Sequence, residues 1–362
     1  MGRNGGSLRA IDIFCGAGGF TLAAKQLKIK VIAAIEYNSH ACETYRNNFV
    51  RYKRNRLRLY EQDVLSLEPE QILKDLELRP NELDILMGGP PCQGFSTHRI
   101  KNAGVGDARN ELLERYFDFV RLLKPKVFIV ENVAGLLWPR HKQHVERFYN
   151  LARRAGYSVH SPALLNAKDF GVPQNRKRVF ILGHRGDLDL ECNWPPQPTH
   201  LNPNNNNNGR PNWLPASVVF DMPLDESDPN NVHMQHSPEL IEVFKSTPKN
   251  GGSRSQSNRK LACHKNHNGH RDVYGRIDPK KPGPTITTGC INPSKGRFLH
   301  PTENHGITVR HAARFQSFPD DFIFTGGLMA TAAQVGNAVP IKLGTKVLTI
   351  ISTAIERTHN DG

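Results

Sequence analysis

Strand-length apolar runs recur through the first half of the chain, and stretches with helical spacing separate them. "LRAIDIF" (8–14) reads as a buried strand ending in a glycine turn, with a helix to follow near 19–28. "VIAAIE" (31–36) reads as a second strand, with a helix near 39–49, and "LDILM" (83–87) and "KVFIVEN" (126–132) as further strands. Between those two, "NELLERYFDFVRLLK" places Leu112, Leu113, Tyr116, Phe117 and Val120 on one helical face. "RVFILG" (178–183) closes the series. A repeated strand–helix–strand order predicts an α/β fold, a mainly parallel sheet with helices on both faces.

After Gly186 the pattern dissolves. "NWPPQPTHLNPNNNNNGRPNWLP" is dominated by Pro and Asn, and its asparagine run reads as a surface insertion. From there to about residue 320 helical period is scarce and Gly, Pro, Ser and His are frequent, which predicts a smaller, loop-rich domain. Amphipathic order returns in "VPIKLGTKVLTIISTAI", where Leu343, Val347, Ile350, Ile351 and Ala354 share a face. The expected division is a domain over 1–186 completed by 325–362, and a second over 187–324.

Charge narrows the choice of partner. With 48 Lys and Arg against 34 Asp and Glu, the net charge is +14, and an excess of that size favours a polyanion. No apolar run is long enough for a bilayer, no secretory signal opens the chain, and Gly6 stands where an acylation motif starting at Gly2 needs Ser or Thr. Nucleic acid is therefore preferred to a membrane, and the expected location is the cytoplasm, with the nucleoid. The six cysteines are scattered and never form CxxC, which fits free thiols. Cys263, His264, His267 and His270 crowd together without a standard zinc spacing, so no metal is expected.

"DIFCGAGGF" lies where a strand gives way to a helix, and its glycines let backbone approach a ligand closely. Glu36 ends the next strand, 20 residues beyond Gly16, the placement of a carboxylate that accepts from ribose hydroxyls. Asp63, after a third short segment, is placed to reach an adenine amino group. The G-x-G-G spacing departs from the dinucleotide G-x-G-x-x-G and suits a nucleoside cofactor without pyrophosphate.

A different constellation begins at "GGPPCQGFS". A thiol is mostly protonated at neutral pH, so a nucleophilic cysteine needs polar neighbours and a fixed direction. Pro90 and Pro91 stiffen the approach to Cys92, while Gly88, Gly89 and Gly94 relieve crowding. Glu131 ends "KVFIV" and would face the same sheet edge as an acid or hydrogen-bond donor. Arg176 and Arg178 in "QNRKRV" lie two apart, hence on one face if extended. Taken singly, each has a structural reading: an inert thiol, a helix-start carboxylate, a solvated strand end.

Together, in order, "DIFCGAGGF", Glu36, "QDV", "GGPPCQGFS", "DARNELL", "ENV", "QNRKRV", "ITVRHAARFQSFPDDF" and "QVGNAVP" resemble the DNA (cytosine-5) methyltransferase family from about residue 10 to 345. Departures are small: Ile341 stands where many relatives have a second proline, and His311 replaces a common glutamate. The resemblance implies a Rossmann-like S-adenosylmethionine-dependent sheet domain, a small target-recognition domain, and duplex DNA between them. It implies cofactor contacts at Phe14, Gly16, Gly18, Gly19, Glu36, Asp63, Pro91, Leu112, Asn337 and Val339. It further implies Cys92 as nucleophile toward a flipped-out cytosine, Glu131 at ring nitrogen 3, and Arg178, with Arg176, at the carbonyl oxygen. Gln93 and Ser96 would touch the vacated duplex or its backbone.

Recognition is expected between about 187 and 305, with "PGPTIT" near the DNA, whereas the basic run "RYKRNRLR" reads as a solvated face. The same resemblance suggests the modification enzyme of a restriction–modification system, with a partner endonuclease and a monomeric state. A tRNA-methylating member of the family and an inactive DNA-binding accessory protein are the competing readings.

Overall fold

In the computed structural model the described residues are 7–51, 57–90, 111–205, 209–258 and 272–360. Pro91, Cys92, Gln93, Ser96, most of the basic run and the Cys263–His270 cluster lie outside them. The chain divides into two units, one of Met1–Asn166, Lys177–Gln197 and Leu343–Gly362, the other of Ala167–Arg176 and Pro198–Lys342.

The first unit is built on the strand–helix repeats read from the sequence. Its elements are β1 (Arg9–Ile13), α1 (Gly19–Gln26), β2 (Lys30–Glu36), α2 (Ser39–Tyr45), β3 (Arg58–Glu61), α3 (Pro69–Asp75), β4 (Ile85–Gly88), α4 (Glu111–Leu123), β5 (Val127–Val133), α5 (Lys142–Arg154), β6 (Tyr157–Val159), β7 (Ala163–Asn166) and β8 (Lys177–Arg185). They give an eight-stranded sheet in the order β3-β2-β1-β4-β5-β8-β6, with β7 also on β8. The first five strands are parallel, and their order reverses between β1 and β4.

β8 departs from the parallel expectation. It runs antiparallel to β5, β6 and β7, so its first residues, not its last, lie beside the carboxyl end of β5. The sheet is therefore mixed. A single apolar run carries no direction, and only the short connections through β6 and β7 set it.

Alternation along the strands sends side chains to two layers. On one face Leu86, Phe128 and Val130 pack with Tyr116 and Val120 of α4 and Phe148 of α5. On the other, Met87, Ile129 and Phe180 are fully buried, and Phe20 of α1 meets Phe180 edge-on.

The second unit has no named strand among its described residues. Its helices are α6 (Ser217–Phe220), α7 (Pro238–Ser246), α8 (Val309–Phe315) and α9 (Leu328–Asn337). Loops without ladders leave carbonyls that need donors, and buried guanidinium groups supply them. Arg276 donates to the carbonyls of Phe244, Thr247 and His300, and Arg310 to those of Pro319 and Phe322 while pairing with Asp228.

His311, the departure from a common glutamate, sits at the third position of α8. Its backbone N–H donates to the Thr308 hydroxyl, and its Nδ1 accepts from the Thr308 backbone N–H, which completes a capping box. Burial pushes the His311 imidazole down to about 3. The ring therefore stays neutral, the state in which Nδ1 can accept.

After the second unit the chain enters α10 (Ile341–Asn360), whose residues from Leu343 onward belong to the first unit. Leu343, Val347, Ile351 and Ala354 are buried as the amphipathic pattern predicts, Ile350 at the edge of that face is only half-buried, and Thr345 hydrogen-bonds Gln26 of α1. By length and composition Leu328–Thr358 would cross a bilayer, yet 67% of its most apolar window is buried in the protein.

The unit boundaries thus differ from the expected 186 and 325. Ala167–Arg176 and residues 325–342 join the second unit, because Gln174 and Arg176 bond to Ile286, Phe315, Gly336 and Ala338. Loop-rich sequence gives no periodicity from which those long-range bonds can be read.

Candidate active site

Five consecutive parallel strands end along one edge of the sheet, and most of the predicted site residues of the first unit lie there. In open α/β sheets this carboxyl edge is where ligands bind, close to the reversal of strand order.

At the end of β1, Phe14 takes a left-handed backbone with φ 58°, as does Gly16 with φ 53°. For a bulky residue that conformation is a true outlier, and it turns the chain sharply off the strand. Gly18, φ 92°, leaves no room for a side chain, since a Cβ there would lie 2.3 Å from the Phe49 ring. Gly19 then opens α1, whose N-terminal cap has no side-chain bond. Phe14 and Leu112 are both half-buried against the first unit's core.

Glu36, ending β2, draws this turn together. One carboxyl oxygen accepts from Gly16 N–H at 2.9 Å, the other from the N–H groups of Tyr37 and Asn38. Burial raises its carboxyl above the ordinary range, while those three bonds pull it back. Tyr37, which sequence reasoning missed, is 66% exposed beside this carboxylate. Asp63, beyond β3, is exposed and forms a turn by accepting from Leu65 N–H. Open space around Gly16, a polarised carboxylate and an exposed aromatic next to it suit a nucleoside.

Two strands further on, Glu131 near the end of β5 is buried. Arg178 sits opposite Val133 across the antiparallel pair and so lies diagonal to Glu131 on the same face. Its Nε stands 2.9 Å from Glu131 Oε1, an ion pair without the alignment of a directed hydrogen bond. On the β4 side, a Cβ at Gly89 would lie 3.5 Å from Glu131 Oε2, an ordinary contact, so the Gly89 backbone runs beside that carboxyl. Asn132, also missed from sequence, donates its side-chain amide to the Pro90 carbonyl at 3.3 Å. The residue after the acid thereby holds the backbone two positions before Cys92.

Arg176 does not join Arg178. It is 1% exposed and donates to the carbonyls of Ile286, Gly336 and Ala338, all within the second unit. Two arginines two apart share a face only in a continuous strand, and β8 begins at Lys177, after Arg176. Asn337 and Val339 also belong to the second unit, where Asn337 is exposed and Val339 buried.

A sequence profile of C-5 cytosine-specific DNA methylases matches residues 8–353, almost the whole chain. The chain belongs to that family. Among its relatives, the type II methyltransferase M1.HphI of Haemophilus parahaemolyticus is 33% identical over 92% of this chain and 84% of its own. M.NgoFVII of Neisseria gonorrhoeae is 30% identical over 96% and 88%. Among solved structures, a protein described as a prophage-encoded DNA modification methyltransferase of E. coli superposes with a TM-score of 0.74 at 23% identity, covering 97% of this chain and all of that one. Spodoptera frugiperda DNMT2 superposes at 0.63 and 16%, covering 96% and 100%. The methylase fold, an α/β methyltransferase sheet, is thus shared, and the enzyme is a DNA (cytosine-5-)-methyltransferase of the type II restriction–modification kind.

Proposed function

We propose that this methyltransferase acts on a cytosine flipped out of duplex DNA and attacks it through Cys92, with S-adenosylmethionine as methyl donor. The observation that carries the reading is the buried Glu131–Arg178 pair with the Gly89 backbone beside it and the Pro90 carbonyl held by Asn132, two residues short of the thiol in sequence. An acid paired with a guanidinium, with a cysteine two residues along the chain from Pro90, is the set of groups that activating a pyrimidine ring requires.

In this mechanism the Cys92 thiolate adds to carbon 6 of the cytosine and forms a sulfur–carbon bond. Glu131 holds a proton at ring nitrogen 3, which draws the displaced electrons through the ring and leaves carbon 5 nucleophilic. Arg178 holds the carbonyl oxygen and keeps Glu131 oriented. Bound S-adenosylmethionine supplies an electrophilic methyl group for carbon 5. Loss of the carbon 5 proton to solvent then lets the sulfur–carbon 6 bond break, returning the thiolate and the methylated base. A stacked base is out of reach of these groups, so extrusion at a cost of about a few kcal/mol precedes the reaction.

For the cofactor, the β1 turn from Phe14 to Gly19 with Glu36 and Asp63 would hold the nucleoside, and Tyr37, exposed beside Glu36, would stack on its base. Pro91, Leu112, Asn337 and Val339 complete the set by resemblance, and Gln93 and Ser96 are assigned to the duplex in the same way. The second unit, with its arginine-stapled loops, is assigned target recognition. A monomer acting on DNA in the cytoplasm, alongside a cognate endonuclease, is the setting assigned to it, and the match to a DNA methylase profile favours DNA over tRNA.

The test is covalent capture. Duplex carrying 5-fluorocytosine at the methylated position should form a denaturation-resistant adduct with the wild-type enzyme and cofactor, mapping to Cys92. Bisulfite sequencing of DNA from expressing cells identifies the word to use. Turnover without any adduct on that duplex would sink the covalent route.

A further inference from the structure

We infer that Arg176 is a positioning residue for the cofactor side of the enzyme, and that with Gln316 it holds the turn that offers Asn337. This inference rests on the assignment of Asn337 to the cofactor.

The last turn of a helix leaves carbonyls without intrahelical partners and carries partial negative charge. At the end of α9 those groups are met from two sides. The Arg176 guanidinium donates to Gly336 O at 2.8 Å and Ala338 O at 3.2 Å, while its other terminal nitrogen donates to Ile286 O at 2.6 Å. The Gln316 amide donates to Val335 O at 2.8 Å and Ala338 O at 3.1 Å. Gln174 fixes which way the Gln316 amide faces, because its own amide donates to Gln316 Oε1 at 2.9 Å. Gln174 Oε1 in turn accepts from Ile286 N–H.

Packing tightens the same clamp. A Cβ on Gly336 would stand 2.3 Å from the Thr287 backbone, so the 286–288 segment lies directly on the end of α9. Every residue from Gln334 to Pro340 is buried except Asn337, which is exposed. Backbone bonds on both sides of one exposed amide are the arrangement that fixes a ligand contact in advance. Three stretches separate in sequence, "QNR", "RFQ" and "GNAVP", thus serve one turn.

Arg176→Lys and Gln316→Met each remove donors to the turn from a different side. Both are expected to raise the calorimetric Kd for S-adenosylhomocysteine tenfold or more. At saturating S-adenosylmethionine each should still form the 5-fluorocytosine adduct and keep kcat within about threefold. Arg178→Lys is the converse control, with Kd unchanged and adduct formation slowed by about 10²-fold or more. Unchanged Kd in both clamp variants, or loss of the adduct at saturating cofactor in Arg176→Lys, overturns the inference. Asn337→Ala separates it from its premise: if that variant binds S-adenosylhomocysteine normally, the cofactor assignment of the turn fails first. Should the clamp variants not fold, hydrogen exchange on the wild type decides. The amides of 335–339 should slow on adding S-adenosylhomocysteine, and no change there overturns the inference.

Discussion

Arg178 reaches Glu131 diagonally across two antiparallel strands, with Nε 2.9 Å from Oε1 and both side chains largely buried. The pair shares one face of the sheet, so each residue limits the positions open to the other. Glu131→Gln is expected to lower kcat by about 10²–10⁴ with DNA affinity little changed. Arg178→Ala should cost a similar factor, and the double variant should lose much less than the sum. Single-turnover kinetics on a saturating duplex checks this. Full additivity would mean that the two act separately.

Asn132 tethers Pro90, so its effect should appear in the chemical step. Asn132→Ala is expected to slow adduct formation by about 10²-fold, the order of loss that a shift of about 1 Å in a reacting group produces. The Kd for S-adenosylhomocysteine should stay within a factor of about three. If cofactor affinity falls while the adduct rate holds, the tether serves another purpose.

Adjacent glycines should respond in opposite ways. A Cβ at Gly88 would meet Tyr116 at 2.6 Å and the Ile13 carbonyl at 3.0 Å, so Gly88→Ala should cost stability, about 1–3 kcal/mol. At Gly89 the nearest atom is Glu131 Oε2 at 3.5 Å, an ordinary contact, so Gly89→Ala should fold normally and lose turnover. Thermal unfolding and methyl-transfer assays on the two variants separate the effects.

Acid should weaken the second unit through His311. An unfolded imidazole titrates near 6.5, whereas burial holds the folded one near 3, so the unfolded chain takes up the proton first. The contribution is intact above about pH 6.5 and is lost progressively as pH falls toward 3. Burial depresses His300, 5.3 Å away, to about 4 in the same sense. Gln at position 311 can close the capping box without titrating. His311→Gln should therefore flatten the loss of stability between about pH 6 and 4 by up to a few kcal/mol. Denaturant titrations at several pH values would show it, and parallel curves for the two proteins would rule it out.

Charge should govern DNA binding. If the net charge of +14 reflects phosphate contacts, six to ten of them would cost roughly 10³–10⁵ in affinity between about 50 and 200 mM salt. Fluorescence anisotropy across that range gives the slope, and a flat response would remove phosphates as the main source of binding.

Much of the first unit was legible because its information is local. Apolar runs marked β1, β2, β4 and β5, helical spacing marked α4 and α10, and the glycine turn, Glu36 and Glu131 fall at strand ends as their positions implied. Polar or short elements escaped: α5 is strongly charged, and β6 and β7 are only three and four residues long. The roles of Asn132 and Arg176 were equally hidden. Each depends on a carbonyl 42 or more residues away, which no periodicity reports. Spacing alone placed Arg176 beside Arg178, and the start of β8 between them is what parted the two.

The second unit is spun from two threads, a short one that runs just ahead of β8 and a long one that follows it. Anyone grafting a foreign recognition segment onto this enzyme would naturally exchange only the long thread. Gln174 and Arg176 would then stay behind with donors cut to fit carbonyls that had left. If the second unit reads the DNA word, as proposed, transplantation should change that word only when the ten-residue leader travels with its cargo.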